Sequence, residues 1–173
     1  NILKIKKNKS ISILSSAPRR VYNLKSFARD YLPFEINRVD FKNIRGNIPT
    51  RFDKFINGSD DGFVVAKAAL DRLLINNIKK YIPLSKLINS YIDKCYWTIT
   101  PLSINPTSPG QGALACEVRT EDTFIRKIME EINNKDDYEC VKKEREILKK
   151  YGGGCHQKIG VSFFTMPFGL IKS

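Results

Sequence analysis

Ser10-Ile11-Ser12-Ile13-Leu14-Ser15-Ser16-Ala17-Pro18-Arg19-Arg20 is the stretch from which the rest of this chain can be read. Serine alternates with isoleucine over residues 10–14, the period of two that suits a short, half-buried strand. Ser15-Ser16-Ala17-Pro18 then offers helix-cap candidates and a proline fit for a first helical turn. Val21, Leu24, Ala28 and Tyr31 share one face of the helix that follows, and Pro33 ends it. The alternation continues as a strand over 34–41, a turn over 43–51 carrying Arg45 and Arg51, and a short helix over 51–56. After the Asn57–Gly62 turn come a buried strand over 63–66 and a helix over 67–74. A β-α-β-α-β-α order predicts an α/β fold, a mainly parallel sheet covered by helices.

Beyond residue 74 the pattern changes. Residues 75–95 read as helical, 96–102 and 113–118 as strands, and 103–112 as a Pro/Gly loop between them. Phe124, Ile125, Ile128, Met129 and Ile132 form the apolar stripe of an amphipathic helix. Asn133–Lys135 interrupts, and Asp136 with Glu139 suggests a capping-box start to a helix reaching Tyr151. Residues 159–164 look like the first strand of a further sheet. The breaks near 103 and 133 divide the chain into residues 1–103, 104–133 and 134–173.

Composition narrows the function. With 42% apolar residues the chain can bury a core, so wholesale disorder is not expected. No apolar run reaches the roughly 18 residues of a membrane span, and the basic start, residues 1–9, reads as a lead-in to a strand and not as a signal peptide. The absence of an initiator Met suggests a piece of something longer or a processed product. A net charge of +12 predicts attraction to polyanions, although lysine outnumbers arginine two to one and much of that charge is expected on solvated faces. One histidine and four cysteines without a close Cys pair argue against zinc. Reduced thiols and a cytoplasmic location are expected.

The arginines are more informative than the lysines because they cluster. Arg19 and Arg20 sit in a helix first turn, where positive charge opposes the helix dipole. Arg45 and Arg51 flank the next strand-to-helix turn. Both pairs fall at the C-terminal edge of the predicted sheet, where exposed helix N-termini also offer N–H groups to anions. Cys155, after Gly152-Gly153-Gly154, has two readings. Gly152 is a helix C′ residue and Cys155 a small core residue, or the glycines clear an approach to a reactive sulfur.

Five segments in order resemble the hydroxymethylbilane synthase (porphobilinogen deaminase) family. They are Ser15–Arg20, Arg45-Gly46-Asn47-Ile48-Pro49-Thr50-Arg51, Ala66–Leu73, Pro109-Gly110-Gln111-Gly112-Ala113 with Glu117-Val118-Arg119, and Glu144-Arg145 with Gly153-Gly154-Cys155-His156-Gln157-Lys158-Ile159-Gly160. The resemblance implies doubly wound lobes like those of periplasmic binding proteins and the start of a small α+β third domain. It places residues 1–103 in the family's second domain, 104–133 in a return into its first, and 134–173 at the start of its third. It implies a transferase of haem biosynthesis that joins four porphobilinogen units, with loss of ammonia, on a dipyrromethane cofactor held by Cys155, and releases hydroxymethylbilane. Ser15, Ser16, Arg19, Arg20, Arg45 and Arg51 would then bind cofactor carboxylates, and Arg72, Arg119 and Arg145 the substrate and growing polypyrrole.

The chain departs from the family in four places. Two residues, Ala17-Pro18, separate the serines from Arg19 where one is expected, and Lys158 replaces a common proline. The third domain is cut short after Phe164. The family's N-terminal half-domain, with its catalytic aspartate, has no counterpart here, so no catalytic residue is assigned. Asp60 and Asp61 belong to a turn and are not substitutes. A separate chain supplying that half is one implied partner. Two rival readings remain, a noncatalytic or split portion of the fold and a basic nucleic-acid-binding module. The second lacks obvious aromatic platforms, since Tyr22, Phe27, Tyr31 and Phe34 fit core faces better.

Overall fold

The computed structural model describes residues 10–32, 35–75, 78–153, 157–167 and 169–172, with the backbone alone at 29–31. The chain divides into two compact units, Asn1–Thr100 and Pro101–Ser173.

In the first unit, strands β1 (Ser10–Leu14), β2 (Arg38–Lys42) and β3 (Gly62–Phe63) form a parallel sheet in the order β2-β1-β3. Helices α1 (Pro18–Tyr31), α2 (Ile48–Ile56), α3 (Lys67–Leu74) and α4 (Ile82–Ile92) alternate with or follow the strands, with a 3-10 turn at Lys79–Tyr81. The α/β reading is correct, and α3 forms over the expected residues. The sheet is smaller than expected, because its second strand starts at Arg38 and its third stops at Phe63.

Register explains the core. Ile11 lies beside Val39 and Ile13 beside Phe41, so their side chains share one face of the sheet. Ile11, Val39, Ala28 and Ile36 are buried together, with Ile13, Leu32 and Phe41 packed against them. Each such aliphatic residue contributes about 1.5–3 kcal/mol of burial energy. Phe52 of α2 ties the other elements together. It meets Phe63 edge-on at 5.2 Å between ring centroids and stacks on Tyr91 of α4 at 6.1 Å.

The second unit contains α5 (Thr123–Ile132), α6 (Lys135–Lys150) and an antiparallel hairpin of β4 (Phe163–Met166) and β5 (Gly169–Lys172). Asp122 caps α5 by accepting from the Ile125 amide. Helix α6 is capped by Asn134, which accepts from the amides of Asp136 and Asp137. The expected capping box at Asp136 and Glu139 is therefore corrected. The cap lies two residues earlier, and the two aspartates occupy the first turn, where they complement the helix dipole.

Two expected strands do not form. Residues 96–102 and 113–118 have no strand assignment, and Tyr96 and Leu114 are 94% and 96% exposed. Alternation supplies a face for packing, but a strand also needs a neighbour for its N–H and C=O groups. No described strand pairs with either segment.

Candidate anion site at the sheet's C-terminal edge

Parallel strands deliver their following loops to one edge, the usual location of ligand sites in α/β sheets. Past β1, the Ser15 amide bonds to the Lys42 carbonyl at 2.9 Å, while the Val64 amide bonds to the Leu14 carbonyl at 3.1 Å. The loops after all three strands are thus held together at that edge. Ser16 secures one of them, donating its hydroxyl to the Ile44 carbonyl and accepting from the Ile44 amide at 2.7 Å.

Ser15 has a different environment. It is 4% exposed, and its hydroxyl has no hydrogen-bond partner among the described residues. A buried hydroxyl left unsatisfied costs about 1–3 kcal/mol. Helix α1 begins three residues later with Ala17 at its N-cap, no side-chain cap and no acidic residue in its first turn. Its N-cap residue therefore offers no side-chain cap, while α2 has Asn47 accepting from the Thr50 amide at 2.9 Å.

Arg19 and Arg20 occupy that uncapped first turn. Arg19 is 5% exposed, and burial, with a smaller contribution from Arg20, lowers its pKa to about 10. Burial also lowers Arg20, helped by the charge of Arg51. Both remain cationic at neutral pH. Mutual repulsion and desolvation disfavour these charges together, and an anion would relieve both effects. Arg51 is steered toward this edge by its Nε–H bond to the Gly46 carbonyl at 2.7 Å.

Other expected site residues lie differently. Arg45 is exposed in the loop after β2, and its carbonyl accepts from Lys54. Arg72 occupies the last turn of α3, away from the edge at which that helix begins. Arg119 and Arg145 are exposed in the second unit. Cys155 lies outside the described residues. The helix preceding it ends in a Schellman motif, with Gly153 N–H bonded to the Leu148 carbonyl and Gly152 N–H to that of Lys149. Gly152 is indeed a C′ residue, at φ 88°.

Asp60 and Asp61 are structural. Asp60 accepts from the Ser12 hydroxyl and from Lys42 Nζ, and Asp61 accepts from the Ser12 amide at 3.0 Å. These bonds pin the 57–62 turn to β1 and β2. Glu144, noted in sequence only as part of a matching segment and given no role, is a buried carboxylate bonded to two backbone amides. Its signal was available, because Cys140, Glu144 and Leu148 follow helical spacing along one stripe, with a charge amid apolar residues.

Among the described residues no group of three metal-ligating side chains converges, and no helix is long and apolar enough to cross a membrane. A family model described as "Porphobilinogen deaminase, dipyromethane cofactor binding domain" matches residues 3–127. A protein named probable porphobilinogen deaminase from Sulfurisphaera tokodaii is 33% identical over 94% of this chain and 50% of its own length. Proteins named porphobilinogen deaminase from Chlorobium phaeovibrioides and Dictyostelium discoideum are each 33% identical, over 88% and 85% of this chain and 41% and 38% of their own. The chain spans half or less of each of these relatives.

Proposed function

Because the chain belongs to the porphobilinogen deaminase family, we propose that it forms the carboxylate-binding part of a hydroxymethylbilane synthase. The dipyrromethane of that family would be attached at Cys155. When bound, it supplies the free pyrrole end on which porphobilinogen units are joined with loss of ammonia. The observation that carries this reading is the buried Ser15 hydroxyl, without a hydrogen-bond partner among the described residues, beside the arginine-bearing start of α1, whose N-cap Ala17 gives no side-chain cap.

The residues present fit a polycarboxylate. Ser15 would donate to one carboxylate oxygen, and the first amides of α1 would complete an anion cradle. Arg19, Arg20 and Arg51 would neutralise further carboxylates from within a partly desolvated edge, where charge-assisted bonds are stronger than in water. Each pyrrole unit bears an acetate and a propionate, so the required positive charge rises as units are added. Ser16 would act indirectly by holding the loop. Arg45 would join Arg19, Arg20 and Arg51 on the cofactor carboxylates, and Arg72, Arg119 and Arg145 would bind the substrate and growing polypyrrole.

The proposed organisation assigns residues 1–103 to one lobe of a doubly wound, periplasmic-binding-protein-like pair. Residues 104–133 would return into the other lobe, and 134–173 would begin the third domain. The coupling step also needs a carboxylate near the pyrrole nitrogens. We assign that group to family sequence not matched in this chain, supplied by the same protein or a separate one. The reaction would take place in the cytoplasm.

The test is the intact mass of the chain purified from cells that make porphobilinogen, with an Ehrlich colour reaction for pyrroles. The expected result is a mass excess of two pyrrole units that is lost in Cys155→Ser. An unmodified chain, even when co-expressed with the remaining portion of a relative, would overturn the reading.

A further inference from the structure

The connection between α3 and α4 presents apolar side chains that the first unit leaves half-exposed. Ser85, fully buried near the start of α4, donates its hydroxyl to the Leu74 carbonyl at 3.3 Å, which seats the first turns of α4 against the end of α3. Ile88, one turn further along, is also fully buried, so this side of α4 is the one that packs. Ile75 directly follows the Leu74 anchor. In the 3-10 turn leading into α4, the Tyr81 amide bonds to the Ile78 carbonyl at 2.9 Å. Residues three apart in such a turn eclipse, so Ile78 and Tyr81 lie one above the other. Ile75, Ile78, Tyr81 and Leu87 are each between 43% and 55% exposed.

Lysines interleave with these groups. Lys79, Lys80 and Lys86 are exposed, and the sequence holds no Asp or Glu between Asp71 and Asp93. Asp71 itself is paired with Lys67 at 2.6 Å. The patch thus complements a negatively charged surface and has no local carboxylate of its own. A nucleic acid would use the lysines but not the isoleucines or Leu87, since phosphates take charge and bases stack on aromatic rings. An anionic lipid surface uses both, because it sets an apolar layer beneath a layer of phosphates. Aliphatic side chains enter the first, and tyrosine rests at headgroup level. Lysine stems lie along the boundary with their ammonium groups turned to phosphate. We propose that the α3–α4 connection is a peripheral docking surface for an anionic membrane, on which the chain lies without spanning it.

The test is flotation of the chain at physiological salt with vesicles of phosphatidylcholine, alone or with phosphatidylserine added, alongside amide exchange over residues 78–87. The expected result is binding to the anionic vesicles only, with slower exchange over 78–87 and unchanged exchange in β2. A lysine near such a surface is worth about fivefold in affinity, so Lys79→Gln with Lys80→Gln should weaken binding about twentyfold. Ile78→Gln with Leu87→Gln keeps the charge and should weaken binding severalfold. Both pairs are exposed, so melting temperatures should stay near that of wild type. Lys149→Gln with Lys150→Gln removes the same charge from the end of α6 and should bind like wild type. No flotation with anionic vesicles would overturn the proposal. So would equal weakening by the two lysine pairs, which would mean diffuse attraction of a cationic chain. Full binding by the Ile78 and Leu87 variant would remove the apolar anchor and overturn it as well. Protection of 78–87 by a single-stranded RNA, without vesicle binding, would assign the lysines to nucleic acid instead.

Discussion

Two adjacent serines illustrate how little of a site can be read from residue type. Ser15 and Ser16 are chemically the same and equally plausible as ligands to a carboxylate. Ser16 is occupied by the Ile44 backbone, and Ser15 is buried without a hydrogen-bond partner among the described residues. Their alanine variants should therefore separate. Ser16→Ala should destabilise the chain by about 1–2 kcal/mol in urea unfolding, because it strands a backbone amide. Ser15→Ala should leave unliganded stability unchanged or slightly higher, yet weaken binding of a dipyrrole polycarboxylate about tenfold, one hydrogen bond's worth. Arg20→Gln should act in the same opposed manner. It relieves repulsion with Arg19 and Arg51, so the empty chain gains a few tenths of a kcal/mol, roughly the scale of a helix-dipole charge. Carboxylate binding, measured by calorimetry, should fall.

At the scale of elements, the turn around Asp60 predicts a pH response. Its hydrogen bonds with Lys42, first, and Ser12 hold the Asp60 carboxyl below its ordinary value. A carboxyl depressed by folding stabilises the fold above its unfolded pKa, about 4, and loses that contribution as pH falls through the lower folded value. Lys42 is raised mainly by the hydrogen bond to Asp60, so its share is complete below its unfolded pKa and is lost only in strong alkali. Melting temperature should thus decline on acidification below pH of about 4, and Asp60→Asn should flatten part of that decline. Another prediction concerns the end of α6. Gly152→Ala places a side chain at φ 88° and should cost about 1–2 kcal/mol.

Elements with local causes were legible in sequence. Leu, Ala and charge spacing gave α3, and alternating Ser/Ile gave β1. The strands at 96–102 and 113–118 were misread because their formation depends on a neighbour, which local alternation cannot encode. Asn134 was overlooked as a cap because Asp136 and Glu139 made a familiar pattern two residues later. The positions of Arg19, Arg20 and Arg51 were anticipated from the rule that parallel strands open toward one edge. The unsatisfied state of Ser15 was not, since it depends on what surrounds a hydroxyl in three dimensions.

For the molecule as a whole, a charge of +12 is a poor guide until it is divided. Lys67 and Arg126 are paired with acids along exposed helix faces, contributing little. Buried Arg19 and half-buried Arg20 and Arg51 at the sheet edge would carry the specific part. Binding of a polycarboxylate should therefore weaken with salt, but less steeply than binding of DNA or RNA to the exposed lysines, because desolvated charges are screened less. Titrations from low to physiological ionic strength would distinguish the two. A steeper dependence for the polycarboxylate would favour diffuse surface attraction and count against a built site.

The bare start of α1 also has a bearing on how such a protein matures. A helix whose cap comes from outside the chain is completed only when its ligand arrives, and any ligand held solely by the folded form adds stability by mass action. A newly made chain would open more readily at α1 than a filled one. Cellular proteases, which cut what transiently opens, would then remove empty copies and spare occupied ones. The Ser15 hydroxyl, unmet among the described residues, would mark a checkpoint on assembly as well as a place to bind.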